Sequence, residues 1–140
     1  MIHFLKYHKT IGIILIVTLL SLLDTSGIEP KRMHSIPNFD KIVHFLMYFT
    51  MTFFLIFDYY LHHKHKISKK VYLLIIPLSW GGAMELAQLW FTNYRGAEWM
   101  DMLANTIGVI LAYFAFYLLR DNRLFNKIML FPFINHKIKA

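Results

Sequence analysis

An all-α polytopic membrane protein, with about four transmembrane helices in one bundle, is the architecture expected of this 140-residue chain. Three observations carry that expectation. Hydrophobic residues make up 57% of the chain and charged residues only 16%, with a mean hydropathy of +0.45. Soluble domains run nearer a quarter charged, and so short a chain buries too small a share of its surface to hide this much apolar area. The apolar residues also fall into separate segments of roughly span length, and the Lys and Arg residues between them favour one side. One domain covering 1–140 is expected.

The first apolar segment occupies about 8–24, its core running TIGIILIVTLLSLL. Crossing the hydrocarbon takes roughly 20 residues at 1.5 Å each, so this segment is short. Tyr7, His8 and Lys9 can extend it by laying apolar stems in the interface and polar tips in water. A cleaved signal peptide is the alternative, although Leu23-Asp24-Thr25-Ser26-Gly27 poorly matches a small-x-small cleavage site. Further spans are expected at about 41–61, 71–91 and 101–119, each long enough to cross with some tilt. Helices are required because unpaired backbone groups in lipid cost several kcal/mol each, by rough estimate.

Orientation follows from the basic residues. Lys6 and Lys9, then Lys64, Lys66, Lys69 and Lys70, then Arg120, Arg123, Lys127, Lys137 and Lys139 share one side. Only Lys31, Arg32, Lys41 and Arg95 lie on the other, so both termini are expected in the cytoplasm of a cell-membrane protein. The basic tail, 120–140, carries Leu124, Phe125 and Ile128 among its charges and reads either as an amphipathic stretch on the inner headgroups or as a frayed end. The lipid bilayer is therefore the expected partner. The formal net charge of +7 is spread in short runs between apolar segments, which fits anionic headgroups and not nucleic acid. Cysteine is absent, which excludes disulfides, zinc–cysteine sites and thiol catalysis.

Ionisable residues inside spans are costly and by default face the bundle interior or a wet cavity. At about 100° per residue, Asp40, His44, Met51, Leu55 and Asp58 share an arc of the second helix, with Tyr48 at its margin. Pro77, Gly81, Glu85 and Gln88 share an arc of the third, where Gly82 follows Gly81. Asp101, Ala104, Asn105, Gly108, Ala112 and Ala115 share an arc of the fourth, and Ala104, Gly108 and Ala112 form a small-residue ridge that admits a neighbouring backbone. His44 and Glu85 lie roughly 6 and 9 Å below the outer ends of their helices at the helical rise. Asp40, His44, Tyr48, Glu85, Gln88, Arg95, Asp101 and Asn105 are thus expected to converge at the outer end of the bundle. Asp58, at the inner end, is expected to reach water or a lysine.

Glu85 suits a proton carrier, a general base or a partner of Arg95; His44 shuttles protons near neutral pH. Arg95 suits phosphate or carboxylate through its planar fork. Such a cluster would receive an anionic lipid or cell-wall precursor headgroup, or would simply lock the helices together. His44, Glu85 and Asp101 are metal-ligand types, but no tight ligand motif supports a metal, and neither metal nor cofactor is expected. The run His62-His63-Lys64-His65-Lys66 reads as a solvated cytoplasmic turn, and Trp90, Tyr94 and Trp99 as an interfacial aromatic belt.

Asp40-Lys41-x-x-His44-Phe45-x-x-Tyr48 resembles the first signature of the VanZ-like family. Glu85-x-x-Gln88, Arg95 and Asp101-x-x-x-Asn105-x-x-Gly108 resemble the rest of it, so the likeness covers about 38–113. It departs at Met84, where an acidic neighbour of Glu85 is expected. The resemblance implies a bacterial multi-pass protein with a cell-envelope role and a link to resistance against the glycopeptide teicoplanin. It implies no particular reaction, so whether the chain is an enzyme stays open. A polar pocket acting on an envelope component is the leading expectation; a small proton-coupled transporter and an accessory scaffold are the alternatives.

Overall fold

The computed structural model describes residues 7–22, 37–63, 71–91 and 98–129, and within them the chain is helical and free of strands. Five helices follow in order: α1 (His8–Leu22), α2 (Phe39–His62), α3 (Tyr72–Phe91), α4 (Trp99–Leu119) and α5 (Arg123–Met129). Helix α2 starts at Asn38, whose φ of 59° is a left-handed conformation that Asn tolerates better than most side chains. Asp40 in the first turn of α2 and Asp101 in that of α4 place negative charge on the positive ends of the helix dipoles.

Helices α2 and α4, of 24 and 21 residues, are long and apolar enough to cross a bilayer. At 1.5 Å per residue they reach about 36 and 32 Å. Helix α3 has 20 residues but also carries Pro77, Glu85 and Gln88, which lower its hydropathy; it runs helically through the proline. Helix α1 has 15 residues and is the short one.

Polarity is distributed inside out. Leu15, Leu19, Leu86, Leu89, Trp90, Trp99, Phe114 and Leu118 are exposed, whereas His44, Thr52, Asp58, Glu85, Gln88, Asp101 and Asn105 are buried. Water would penalise that arrangement and lipid favours it. The chain is a helical membrane protein.

The most extensive interface joins α2 to α4. Gly108 makes it possible, because a Cβ there would stand 2.5 Å from the Phe45 carbonyl oxygen and 3.0 Å from the Phe49 nitrogen. Ala112 is fully buried on the same face and Ala104 partly so. Val17, Tyr48, Met51 and Val109 pack the middle of the bundle. Leu55, Ile56, Phe57, Tyr59, Tyr60, Leu73 and Phe116 pack the far end.

One position differs from the sequence-based expectation. Asp58 does not reach out to water or a lysine. It is 2% exposed and its Oδ2 accepts hydrogen bonds from the Thr10 backbone N–H (3.1 Å) and the Thr10 hydroxyl (2.7 Å). A helix start has unpaired N–H groups, and α1 starts against α2, so Asp58 caps α1 from a neighbouring helix. At the other end of α1 the Gln88 amide donates to the Ser21 carbonyl (2.9 Å), tying α1 to α3. Of the tail, residues 130–140 lie outside the described residues. Its stretch 123–129 is helical, with Leu124 exposed and Phe125 packed edge-on against Phe53, Phe57 and Phe116 at 5.7–6.2 Å, as an amphipathic stretch would be.

Candidate functional site

The site is assembled from residues stacked along one face of each of three helices. On α2, Asp40, His44 and Tyr48 follow at intervals of four and stack along one face. Gly81 and Glu85 on α3, and Asp101 and Asn105 on α4, repeat the same interval. Helix α3 runs antiparallel to the other two, so Glu85 meets the layer of His44 and Asp101, while Gly81 meets the layer of Tyr48 and Asn105.

His44 is the centre. It is 2% exposed, and its Nδ1 lies 3.2 Å from Asn105 Oδ1 and 3.9 Å from Glu85 Oε1. Its Nε2 lies 3.6 Å from Asp101 Oδ2. Nδ1 is thus held against the Asn105 side-chain amide, and the Nε2 edge of the ring faces the Asp101 carboxylate. Glu85 Oε2 accepts from the backbone N–H of Glu98 at 3.2 Å, so this carboxylate sits at the positive end of α4.

Above this layer Lys41 forms a second knot. Its ammonium pairs with Asp40 at 2.5 Å, with Asp101 Oδ1 at 3.1 Å and with Glu98. Below it, Tyr48 Oη and Asn105 Nδ2 are buried donors without a hydrogen-bond partner among the described residues. Gly81 lets both crowd α3: a Cβ there would meet Asn105 Nδ2 and Tyr48 Cε1, each at 3.3 Å.

A cleft of about 340 Å³ opens between α3 and α4, lined by Gly82, Glu85, Leu86, Glu98, Trp99 and Met102. Its walls are apolar and its polar groups are the two glutamates. Glu85 therefore faces two ways, into the His44 layer and into a cleft beside the exposed Trp99. Gly82 is a lining residue more than a packing one, since a Cβ there would meet only Met102 Cε at 3.7 Å.

Of the residues singled out in the sequence, the structure joins Asp40, His44, Glu85, Asp101 and Asn105 in one network and sets Tyr48 directly beneath it. Gln88 is buried but turns its amide NH2 to Ser21 on α1. Arg95 and Tyr94 lie outside the described residues. Lys41 and Glu98 are central contacts that sequence reasoning did not select. The signal for both was local: Lys41 adjoins Asp40, and Glu98 precedes Asp101 by three, the spacing that shares a helix face.

Helices with lipid-compatible exteriors around a buried cluster of acids, histidine and amides define a membrane protein with an internal polar site. The chain belongs to the VanZ/LLP1 family, whose model matches residues 2–120. No curated protein and no solved structure matches it.

Proposed function

We propose that this VanZ-like protein crosses the cell membrane four times and uses the polar site at the outer-leaflet end of its bundle to bind the headgroup of a cell-envelope lipid or cell-wall precursor. The observation that carries the reading is the double placement of Glu85, which lines an apolar-walled cleft and also lies 3.9 Å from buried His44. A cleft of about 340 Å³ falls at the low end of the volumes that hold small ligands. It is large enough for part of a headgroup, with acyl chains left in the surrounding lipid. The bias of Lys and Arg supports an outward-facing site and cytoplasmic termini, and family membership supports an envelope role linked to glycopeptide resistance. Arg95, just before Glu98 in sequence, is the residue we assign to an anionic part of the ligand.

In cells whose teicoplanin susceptibility depends on the protein, Glu85→Gln and Arg95→Ala should abolish the phenotype at unchanged membrane levels of protein. A wild-type phenotype in Glu85→Gln would refute the reading. Loss of folded protein in both variants would favour the competing account, a structural lock. The Lys41 knot supports that account, because it joins α2 to the start of α4. A proton-coupled transporter is less well supported: the other end of the bundle is packed with Phe57, Tyr60 and Phe116, and its buried carboxylate, Asp58, is engaged by Thr10.

A further inference from the structure

The layer of His44, Glu85 and Asp101 brings together one imidazole and two carboxylates, all buried, with one ligand atom from each within 4.8 Å of the others. Their arrangement has two features that packing alone does not require. His44 Nε2 stands 3.6 Å from a carboxylate oxygen of Asp101, while Nδ1 is held by Asn105. A nitrogen and a carboxylate oxygen at that separation are bridged by a proton or by a cation. Tyr48 Oη and Asn105 Nδ2, both on fully buried residues, are donors with no acceptor among the described residues. They call for an oxygen ligand beside the same layer. A metal ion carrying a water or a phosphate oxygen answers both demands at once.

We propose that His44, Glu85 and Asp101 bind a divalent transition-metal ion, with Zn2+ and Mn2+ suited to the donor set, at the head of the cleft between α3 and α4. Imidazole nitrogen favours these ions over Ca2+ and Mg2+, which prefer all-oxygen cages. Bonds of about 2.1 Å hold donors roughly 3.4 Å apart, so the three side chains close in by about an ångström on binding. The Nδ1 contact with Asn105 is the kind of outer contact that orients a metal-binding histidine. The neighbouring triad of Asp40, Glu98 and Asp101 is a different case, because the Lys41 ammonium already supplies its cation. The inference rests on the headgroup reading in one respect: among the described residues of the site carboxylates outnumber cations, and the ion is what would let phosphate oxygens approach Glu85.

The test uses the full chain purified in detergent, stripped with EDTA and dialysed against Zn2+ or Mn2+, with bound metal measured by mass spectrometry. About one ion per chain is expected, and Glu85→Gln and Asp101→Asn should each weaken binding by at least about tenfold while the metal-free proteins melt as the wild type does. A His62→Ala, His63→Ala, His65→Ala triple variant should bind like wild type. Absence of stoichiometric metal, or loss of binding only in the triple variant, overturns the proposal. Should the site variants fold poorly, pulsed EPR of Mn2+ on the triple variant decides: imidazole nitrogen coupling upholds the site and its absence overturns it. Headgroup binding that survives EDTA, with no ion bound, overturns the metal site and leaves the headgroup reading standing. An ion bound by a chain that takes up no lipid upholds the metal site and sinks the headgroup reading.

Discussion

Replacing Gly108 by alanine tests the packing that holds the site together. The added methyl would stand 2.5 Å from the Phe45 carbonyl oxygen and 3.0 Å from the Phe49 nitrogen. Both are backbone atoms of α2, so neither can swing aside as a flexible side chain would. Restoring an ordinary contact of about 3.4 Å moves α2 and α4 apart by roughly 0.9 Å. Overpacking of this kind costs about 1–3 kcal/mol, and the better helix propensity of alanine offsets about 0.5–1 kcal/mol. A net loss of about 0.5–2 kcal/mol is expected. The site should suffer as well. His44 and Asn105 lie one turn or less from the contact, and stretching their 3.2 Å hydrogen bond by a comparable amount takes it beyond bonding range. Gly82→Ala is the matched control, because its methyl would meet only the flexible end of Met102 at 3.7 Å. Reversible unfolding in mixed micelles should rank Gly82→Ala at or above wild type and Gly108→Ala below it. A Gly108→Ala protein as stable as Gly82→Ala would show that the close approach of α2 and α4 is not what the structure describes.

Asp58→Ala leaves the Thr10 N–H and hydroxyl buried without an acceptor and should cost about 2–4 kcal/mol in thermal unfolding, with Asp58→Asn costing less because one acceptor oxygen remains. Phe125→Ala removes an edge-on contact with Phe53, Phe57 and Phe116 from a half-buried position. It should cost about 1–2 kcal/mol and hasten proteolysis within the tail. Lys41→Met leaves Asp40, Glu98 and Asp101 facing one another and should cost about 1–3 kcal/mol, discounted because Asp40 and Glu98 are partly exposed. The loss should be largest at low ionic strength, where repulsion among the three acids is least screened.

How far the molecule was legible in its sequence depended on whether a contact stays within one helix face or joins different helices. His44, Glu85, Asp101 and Asn105 were found because a polar residue inside an apolar run has few places to go, and helical periodicity says which face it takes. Gly108 was found for the same reason, through the spacing of small residues. The Asp58–Thr10 bond was not legible, since it joins residues 48 apart and depends on how deep α1 sits against α2. Periodicity fixes rotation about a helix axis and says nothing of sliding along it. Gln88 shows the same gap: its face was assigned correctly to the interior, yet the partner is a backbone carbonyl of α1, and backbone atoms leave no mark in a sequence. Docking of Phe125 likewise depended on the turn after Leu119.

These clamps bear on the short first segment. Helix α1 has 15 residues, too few to be held by the bilayer alone at the usual span length. It is fixed instead by one buried polar contact near each end, Thr10 to Asp58 and Ser21 to Gln88, with Val17 packed between them against Tyr48, Met51 and Val109. A cleaved signal peptide has no use for such contacts, and its removal would expose the Asp58 carboxylate and the Gln88 amide to lipid. It is the partners of α1, and not its length, that favour the retained-helix reading. Mass spectrometry of the protein from membranes should find an intact stretch through Thr10 to Ser21. A mature chain starting after Gly27 would mean that Asp58 and Gln88 have other partners, and that the bundle closes without α1.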